Sequence, residues 1–486
     1  MTAAIETAGP VGINPEDTAA WQDTLVRAGA IGNSAFGVQF DLNAAWRHTE
    51  GKVLSASFCD HNCTTEVGNY TCLASSTLNV GVRPSSLTPA ETILDSFGTL
   101  SEGIDAARAD FFDGPFQAYS DTFNIPAAVA TAMRASLDRP GFEVNLFGGN
   151  PELHPEVTTI IRELRGAGHD VHLTTTGGRF MRDANFLEQI VEHPPTLLAL
   201  SADDFEGAED IQHLAGLSLD ELRAAWKAVP RLHGQRRKAH EAIYAAKLAR
   251  NTEGFPKILF NMVLHPGNIA NASSIVGALT TEFPDVIINP FPAQSAFSYD
   301  EEPALRVEHA TALRDIIDRM IALQASAVQA GTSTAPYAPR LHYWLMLRAA
   351  FDIAGDDPAQ AMNMITGDGI WQCYRDSPAG FYTQVGLGPE GEVRSSANQH
   401  PGGCLGCFWN KQTVTDNRQV WGEAVTPPII ARYIKVGKPA LAAESARPCP
   451  GCAFPRLVGH MISAETGMDP RLLPAYFDRR KQTLGF

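Results

Sequence analysis

The stretch EVNLFGGNPELHPEVTTIIRELRGAGHDVHLTTTGG, residues 143–178, carries two short apolar runs, each ending in a Gly-Gly pair, with one amphipathic stripe between them. Val157, Ile160, Ile161 and Leu164 fall at i, i+3, i+4 and i+7, the spacing of a helix with one buried face, and the stripe stops at Gly166. The flanking runs are too short for helices and end in glycine-rich turns, so they are expected to be buried strands. Strand, helix and strand in this order make the unit of a parallel sheet, because parallel neighbours need a crossover long enough to hold a helix.

The rhythm extends outward. KVLSASF (52–58), TLLALSADD (196–204), KILFNMVLH (257–265) and DVIINPFP (285–292) supply four more candidate strands. Phe186, Leu187, Ile190 and Val191, then Ile275, Val276 and Leu279, then Leu313, Ile316, Ile317 and Met320 mark further helices. Six such units predict an α/β fold, a partial (β/α)6 TIM-type barrel with its ligand site at the carboxyl ends of the strands. Residues 1–45 lack a strong period and are expected to form a partly helical N-terminal cover, with the barrel at 46–300, a helical connector at 301–345 and a cysteine-rich α+β extension at 346–486. Within the connector, GTSTAPYAPR (331–340) is a plausible hinge, and beyond it FYTQVGLGPEGEVRSS has the pattern of a hairpin turning at Pro389-Glu390-Gly391. Two stretches interrupt the alternation: residues 73–120 precede the next clear helix, near Ala127 to Leu137, and residues 205–250 hold two helical patterns where one would suffice. Each is either a lid or a packing extension.

Composition narrows the function. A formal charge of -16, from 54 acidic against 38 basic side chains, repels nucleic acid and anionic membranes and favours a small-molecule-facing protein. The N-terminal stretch has no basic region followed by an apolar one, and no run of ~18 apolar residues occurs, so a cytoplasmic protein is expected. Thiols stay reduced there, which makes close-set cysteines metal ligands or redox groups rather than disulfides. No Gly-x4-Gly-Lys loop, nucleophile elbow or His-Glu-x2-His motif occurs. Arg236, Arg237 and Lys238 have the look of a solvated helix face rather than an anion site.

The eight cysteines form two sets. Cys59, Cys63 and Cys72 share one loop, and three thiolates suit a 4Fe-4S cube whose fourth iron stays open to a ligand. With FGGNPELHPEV (147–157) and LTTTGG (173–178), that loop resembles the radical S-adenosylmethionine superfamily over roughly residues 50–295. The family pattern is Cys-x3-Cys-x2-Cys; here Glu66 occupies the third position and Cys72 arrives six residues late. Either Cys72 or Glu66 is the third ligand, thiolate being the better partner for iron, and zinc on Cys59, Cys63, Cys72 and His61 is the alternative.

The resemblance implies that one electron enters the cluster and cleaves S-adenosylmethionine to a 5'-deoxyadenosyl radical, supplied by a donor such as flavodoxin or ferredoxin. It also implies cofactor contacts at Gly148, Gly149, Asn150, Thr175, Ser201, Asp203 and Tyr70, and softer ones at Thr174, Thr176, Asn261, His265 and the VIINP stretch (286–290). Asn150 stands where the family has glutamate and brings no negative charge. Cys404 with Cys407, and Cys449 with Cys452, are Cys-x2-Cys pairs that with Cys373 and the hairpin resemble the auxiliary-cluster extension called SPASM or twitch. Five cysteines, with Ser396 at the hairpin's closing position, allow at most one further 4Fe-4S cluster, or a structural zinc. The expected activity is hydrogen abstraction from a small metabolite or a peptide; the rival is a zinc-stapled binding or scaffold protein on a barrel without radical chemistry.

Overall fold

The structure is a computed structural model that describes residues 36–49, 52–57, 87–117, 138–202, 205–229, 234–292, 305–329, 357–366, 381–387 and 392–395, with isolated positions elsewhere. Six strands lie side by side in chain order, each parallel to the next: β1 (Phe36–Asp41), β4 (Glu143–Phe147), β5 (Asp170–Thr175), β6 (Leu197–Ser201), β7 (Lys257–Leu264) and β8 (Ile287–Pro292). Parallel crossovers are right-handed, so an order that never reverses puts every crossover on the same face, and the sheet curls into a half barrel. Burial follows the pleat accordingly. Val144, Leu146, Val171, Leu173, Leu198, Leu200, Ile258, Phe260 and Met262 are buried, while their alternate neighbours on the other face are mostly half-buried.

The helices form one continuous layer over the buried face. α1 (Ala90–Phe111) adjoins α2 (Val157–Gly166), which adjoins α4 (Ala184–Glu192). The short α3 (Gly178–Arg182) links α4 to α7 (Gly234–Asn251), and α8 (Ala272–Glu282), α9 (Ala310–Gln329) and α10 (Pro358–Thr366) continue the arc. α2 places Val157, Ile160, Ile161 and Leu164 in the core, as its stripe predicts.

Four expectations need correction. The first barrel strand is β1, inside the stretch read as a cover, and not KVLSASF. Phe36, Val38 and Phe40 alternate into the core, where Phe40 packs on Phe97 at 4.8 Å between ring centroids and Phe36 on Phe111 at 5.2 Å. The KVLSASF segment instead forms β3 (Lys52–Ser57), paired antiparallel with β2 (Ala44–Thr49) in a separate two-stranded sheet. The stretch 73–120, in which no clear helix was expected, holds α1, whose Ile93, Phe97, Leu100, Ile104 and Ala107 keep helical spacing and are buried. Residues 205–250 hold three helices rather than two: α7 lies against β6 and β7, and α5 (Ala208–Gly216) and α6 (Leu219–Ala228) pack on α7. That second layer buries residues 238–246 without a break, so Lys238 is only 6% exposed and Arg236 is paired with Asp210, where a solvated face was expected.

The predicted hairpin is present as β9 (Phe381–Leu387) and β10 (Val393–Ser395), antiparallel to each other. β9 also pairs in parallel with β1 over six positions, adding a seventh parallel strand to the half barrel. GTSTAPYAPR and the five cysteines of the predicted extension lie outside the described residues.

Because Phe40 is fully buried on the strand that starts the barrel, Phe40→Ala is expected to cost about 3–5 kcal/mol. Urea unfolding checks this; a loss under about 1 kcal/mol would mean that β1 is not a core strand.

Candidate functional site

The carboxyl ends of β1 and β4 are interlocked. Leu42 N donates to Phe147 O (2.8 Å), Asn43 Nδ2 donates to Asn150 O (2.7 Å), and Asn43 N donates to Asp41 Oδ1 (3.2 Å). Gly148 takes φ of +100°, and a Cβ there would overlap the Asp41 carboxylate. Glycine is therefore required twice at this position, for its backbone angle and for the room it leaves to Asp41. Gly149 follows with φ of +56°, so both glycines of the turn adopt the left-handed side of the map.

The chain then turns into a buried polar knot. Asn150 is fully buried; its Oδ1 accepts from Thr175 Oγ1 (2.6 Å), and its Nδ2 donates to Glu152 Oε1 and Thr176 Oγ1 (both 3.2 Å). Glu152, also fully buried, accepts from Gly177 N (3.1 Å) and Arg179 N (2.8 Å) at the start of α3, with Arg182 Nη2 at 3.7 Å. A buried carboxylate needs such donors, because its charge is otherwise strongly destabilised by the loss of water. Glu156 Oε2 accepts from Ala90 N (3.0 Å) and His154 Nε2 contacts Thr88 O (2.9 Å), so the same loop fixes the start of α1.

The inner face of the half barrel carries hydrogen-bonding side chains among apolar ones such as Phe147, Leu259 and Phe291, where the outer face is apolar. Thr174 Oγ1 donates to Asn145 Oδ1 (2.7 Å), and Asn289 Nδ2 donates to Asn261 Oδ1 (2.7 Å). Ser201 is in register beside Asn261, and His172 Nδ1 lies 3.5 Å from Glu143 Oε1 nearer the amino ends of the strands. These side chains are half-buried and can offer hydrogen bonds to a molecule seated over the sheet.

The sequence-derived candidates divide accordingly. Gly148, Gly149, Asn150 and Thr175 come together in one turn and the strand end beside it, while Ser201 stands across β5 on the next strand. The Asn150 and Thr175 side chains bond each other inside the fold, whereas the resemblance expected them to face a cofactor. His265 sits in its own turn after β7, where Gly267 N donates to its Nδ1 (3.1 Å). Asp203, Tyr70, Cys59, Cys63, Cys72, Cys373, Cys404, Cys407, Cys449 and Cys452 lie outside the described residues. Among the described residues no group of three His, Cys, Asp or Glu is placed to hold a metal, and no helix is long and apolar enough to cross a membrane. Sequence reasoning missed Asp41, Asn43 and Glu152. The alternation of Phe36, Val38 and Phe40 ending in a carboxylate was the signal for Asp41.

No protein-family model matches the sequence, and neither does any curated protein sequence. Among solved structures, Streptococcus suis SuiB bound to its precursor peptide SuiA overlaps 90% of this chain and 74% of its own, at 8% identity and a TM-score of 0.39. SuiB alone overlaps 77% and 63% at 9% identity and a TM-score of 0.37, and TYW1 with a lysine-pyruvate adduct overlaps 55% and 72% at 13% identity and a TM-score of 0.29. At such scores the overlap is loose, and no residue role is transferred from them.

Two expected outcomes follow from this geometry. Gly148→Ala is expected to lose about 2 kcal/mol or more, since it combines a positive φ with overlap on Asp41, whereas Gly166→Ala, which meets nothing within 4 Å, is expected to be neutral or slightly stabilising. Equal effects in denaturant titrations would contradict the interlock. Burial holds His154, His169 and His240 below the ordinary histidine value of 6.5. Each is neutral when folded and gains a proton more readily when unfolded, so their contribution is intact above that value and is lost as pH falls from it toward the lowered folded values. Melting temperature measured downward from neutral pH is expected to fall accordingly, and less steeply in His169→Phe, whose ring already lies among Phe97 and Phe142.

Proposed function

We propose that this chain is a radical S-adenosylmethionine enzyme that removes hydrogen from an unactivated C–H position of a small metabolite or a peptide, in a cytoplasmic setting. The observation that carries the reading is the return of the chain through the β2–β3 hairpin. Ser57, the last described residue before the cysteine loop, is paired with Ala44, next to Asn43 at the carboxyl end of β1, and Cys59 follows two residues later in the sequence. In the sequence, the segment with three thiols thus follows a strand end that lies beside the mouth of a half barrel whose inner face offers hydrogen-bonding side chains.

Cys59, Cys63 and Cys72 would hold three irons of a 4Fe-4S cluster, thiolate being the ligand that iron prefers, and leave one position open. The turn would take the methionine portion of S-adenosylmethionine, with Gly149 offering backbone that carries no side chain while Asp41 occupies the space beside Gly148. When bound, the pair supplies one-electron chemistry strong enough to break a C–H bond. The chain's own part is to position and to exclude water. Asn43, Asn150 and Glu152 fix the turn, while Asn145, Thr174, Ser201, Asn261 and Asn289 offer hydrogen bonds to a substrate over the sheet. Four of Cys373, Cys404, Cys407, Cys449 and Cys452 would hold an auxiliary cluster, and a flavodoxin or ferredoxin would deliver the electron.

Anaerobically reconstituted protein given reductant and S-adenosylmethionine is expected to form 5'-deoxyadenosine, to carry about eight irons per chain for two cubes, and to lose the nucleoside product in Cys59→Ala. No product from the wild-type chain across candidate metabolites and peptides, with zinc in place of iron, would overturn the reading.

A further inference from the structure

Two pairs of side chains on the inner face hold each other in place and leave the same pattern of groups unused. Between β7 and β8, Asn289 Nδ2 donates to Asn261 Oδ1 (2.7 Å). Between β4 and β5, Thr174 Oγ1 donates to Asn145 Oδ1 (2.7 Å). Each bond occupies an amide oxygen and so fixes which way that amide is turned. What remains at the first pair is the Asn261 Nδ2 donor beside the Asn289 Oδ1 acceptor, and at the second the Asn145 Nδ2 donor beside the lone pairs of Thr174 Oγ1. Asn261 Nδ2, Asn289 Oδ1 and Asn145 Nδ2 have no partner among the described residues, and none of them is sealed inside the fold. All four residues are half-buried, so a ligand over the sheet can reach them.

A donor beside an acceptor matches one residue of an extended peptide, whose N–H and C=O point to the same side. Neighbouring residues point to the opposite side, so the pattern recurs at every second residue, ~6.8 Å further on. The two pairs are separated by three strand spacings, ~14 Å along the sheet, with Thr174 one inward-facing step below Asn261 in register. An extended chain covers that distance in about four residues, an even number that returns the same edge to the sheet. A molecule the size of one amino acid reaches one pair and not the other.

We propose that the substrate is a peptide segment laid extended across the inner face and held by its main chain, one residue on Asn261 and Asn289 and another about four residues away on Asn145 and Thr174. This rests on the reading of that face as the place where hydrogen is removed, and it chooses the peptide among the substrates open to that reading. The four side chains are uncharged and address atoms common to every residue. They therefore fix where the chain lies without choosing its side chains, which presents a given C–H position in one place.

The test uses the full, anaerobically reconstituted chain with S-adenosylmethionine present, and equilibrium dialysis of radiolabelled probes. The probes are a blocked hexapeptide of alternating alanine and serine, its fully N-methylated analogue, and N-acetylalanine N-methylamide, a single blocked residue. The hexapeptide is expected to bind about tenfold or more tightly than either of the others, since it alone brings N–H groups to both pairs. Asn261→Leu and Thr174→Val are each expected to weaken the hexapeptide about tenfold, while S-adenosylmethionine binding in the same samples holds. No binding of the hexapeptide, or equal affinity for it and either of the other probes, overturns the proposal. So does a variant that loses S-adenosylmethionine while it keeps the peptide, since the row would then serve the cofactor. If a variant does not fold, the wild-type comparison of the probes decides. A wild-type chain that binds the hexapeptide in the expected pattern but neither binds nor cleaves S-adenosylmethionine defeats the radical reading and leaves the peptide track standing, so the two failures are distinct.

Discussion

Right-handed crossovers between parallel strands set in unreversed order leave a sheet only one face on which to place its helices. Everything else in this chain follows from that constraint. The helix-covered face collects Phe40, Leu146, Leu173, Leu200 and Phe260, all fully buried, while the other face curls inward, is mostly half-buried and mixes polar with apolar side chains. Had the order reversed, helices would lie on both faces and the ligand crevice would sit at the switch point; here the strand ends converge on a single mouth. The return of β9 to the free edge of β1 extends the same logic, because it covers backbone groups that an exposed edge would leave open to other chains.

At the mouth the fold holds two buried carboxylates, Asp41 and Glu152, and with them a rigid turn. Each is tolerable because backbone N–H groups are aimed at it: Asn43 N for Asp41, and Gly177 N and Arg179 N for Glu152. Such an arrangement resists small displacements, since moving a strand end would weaken these hydrogen bonds. A site built in this way is held in place before any ligand arrives, which is the condition for binding energy to be spent on orientation rather than on ordering loops.

Much of this was legible in the sequence where local pattern and tertiary role agree. The strand at 143–147, the helix at 157–166 and the strand at 170–175 have periods and end signals that point the same way, and the structure keeps them. Legibility failed where a short segment's role is set by its partners. Phe36–Asp41 has only three buried apolar side chains and is preceded by a stretch without period, so it gave way to the more continuous run at 52–58. Yet the hairpin brings Ser57, the last described residue before the cysteine loop, back to Ala44 beside the end of β1. The second helical layer was hidden for a different reason. Residues 238–246 contain Lys238, His240 and Glu241, which suggest solvent, and the packing of α5 and α6 on α7, together with α3 and the sheet, explains their burial. The Asp41–Gly148 contact joins positions more than a hundred residues apart and has no local signature.

The central claim is that the loop beginning at Cys59 carries iron at the mouth of the half barrel. Anomalous diffraction from an anaerobically grown crystal, recorded on both sides of the iron and zinc edges, measures it most directly. The account predicts an iron signal bounded by the sulfurs of Cys59, Cys63 and Cys72 beside the Gly148–Gly149 turn. A zinc signal in that position, or three sulfurs with no common centre, would contradict it.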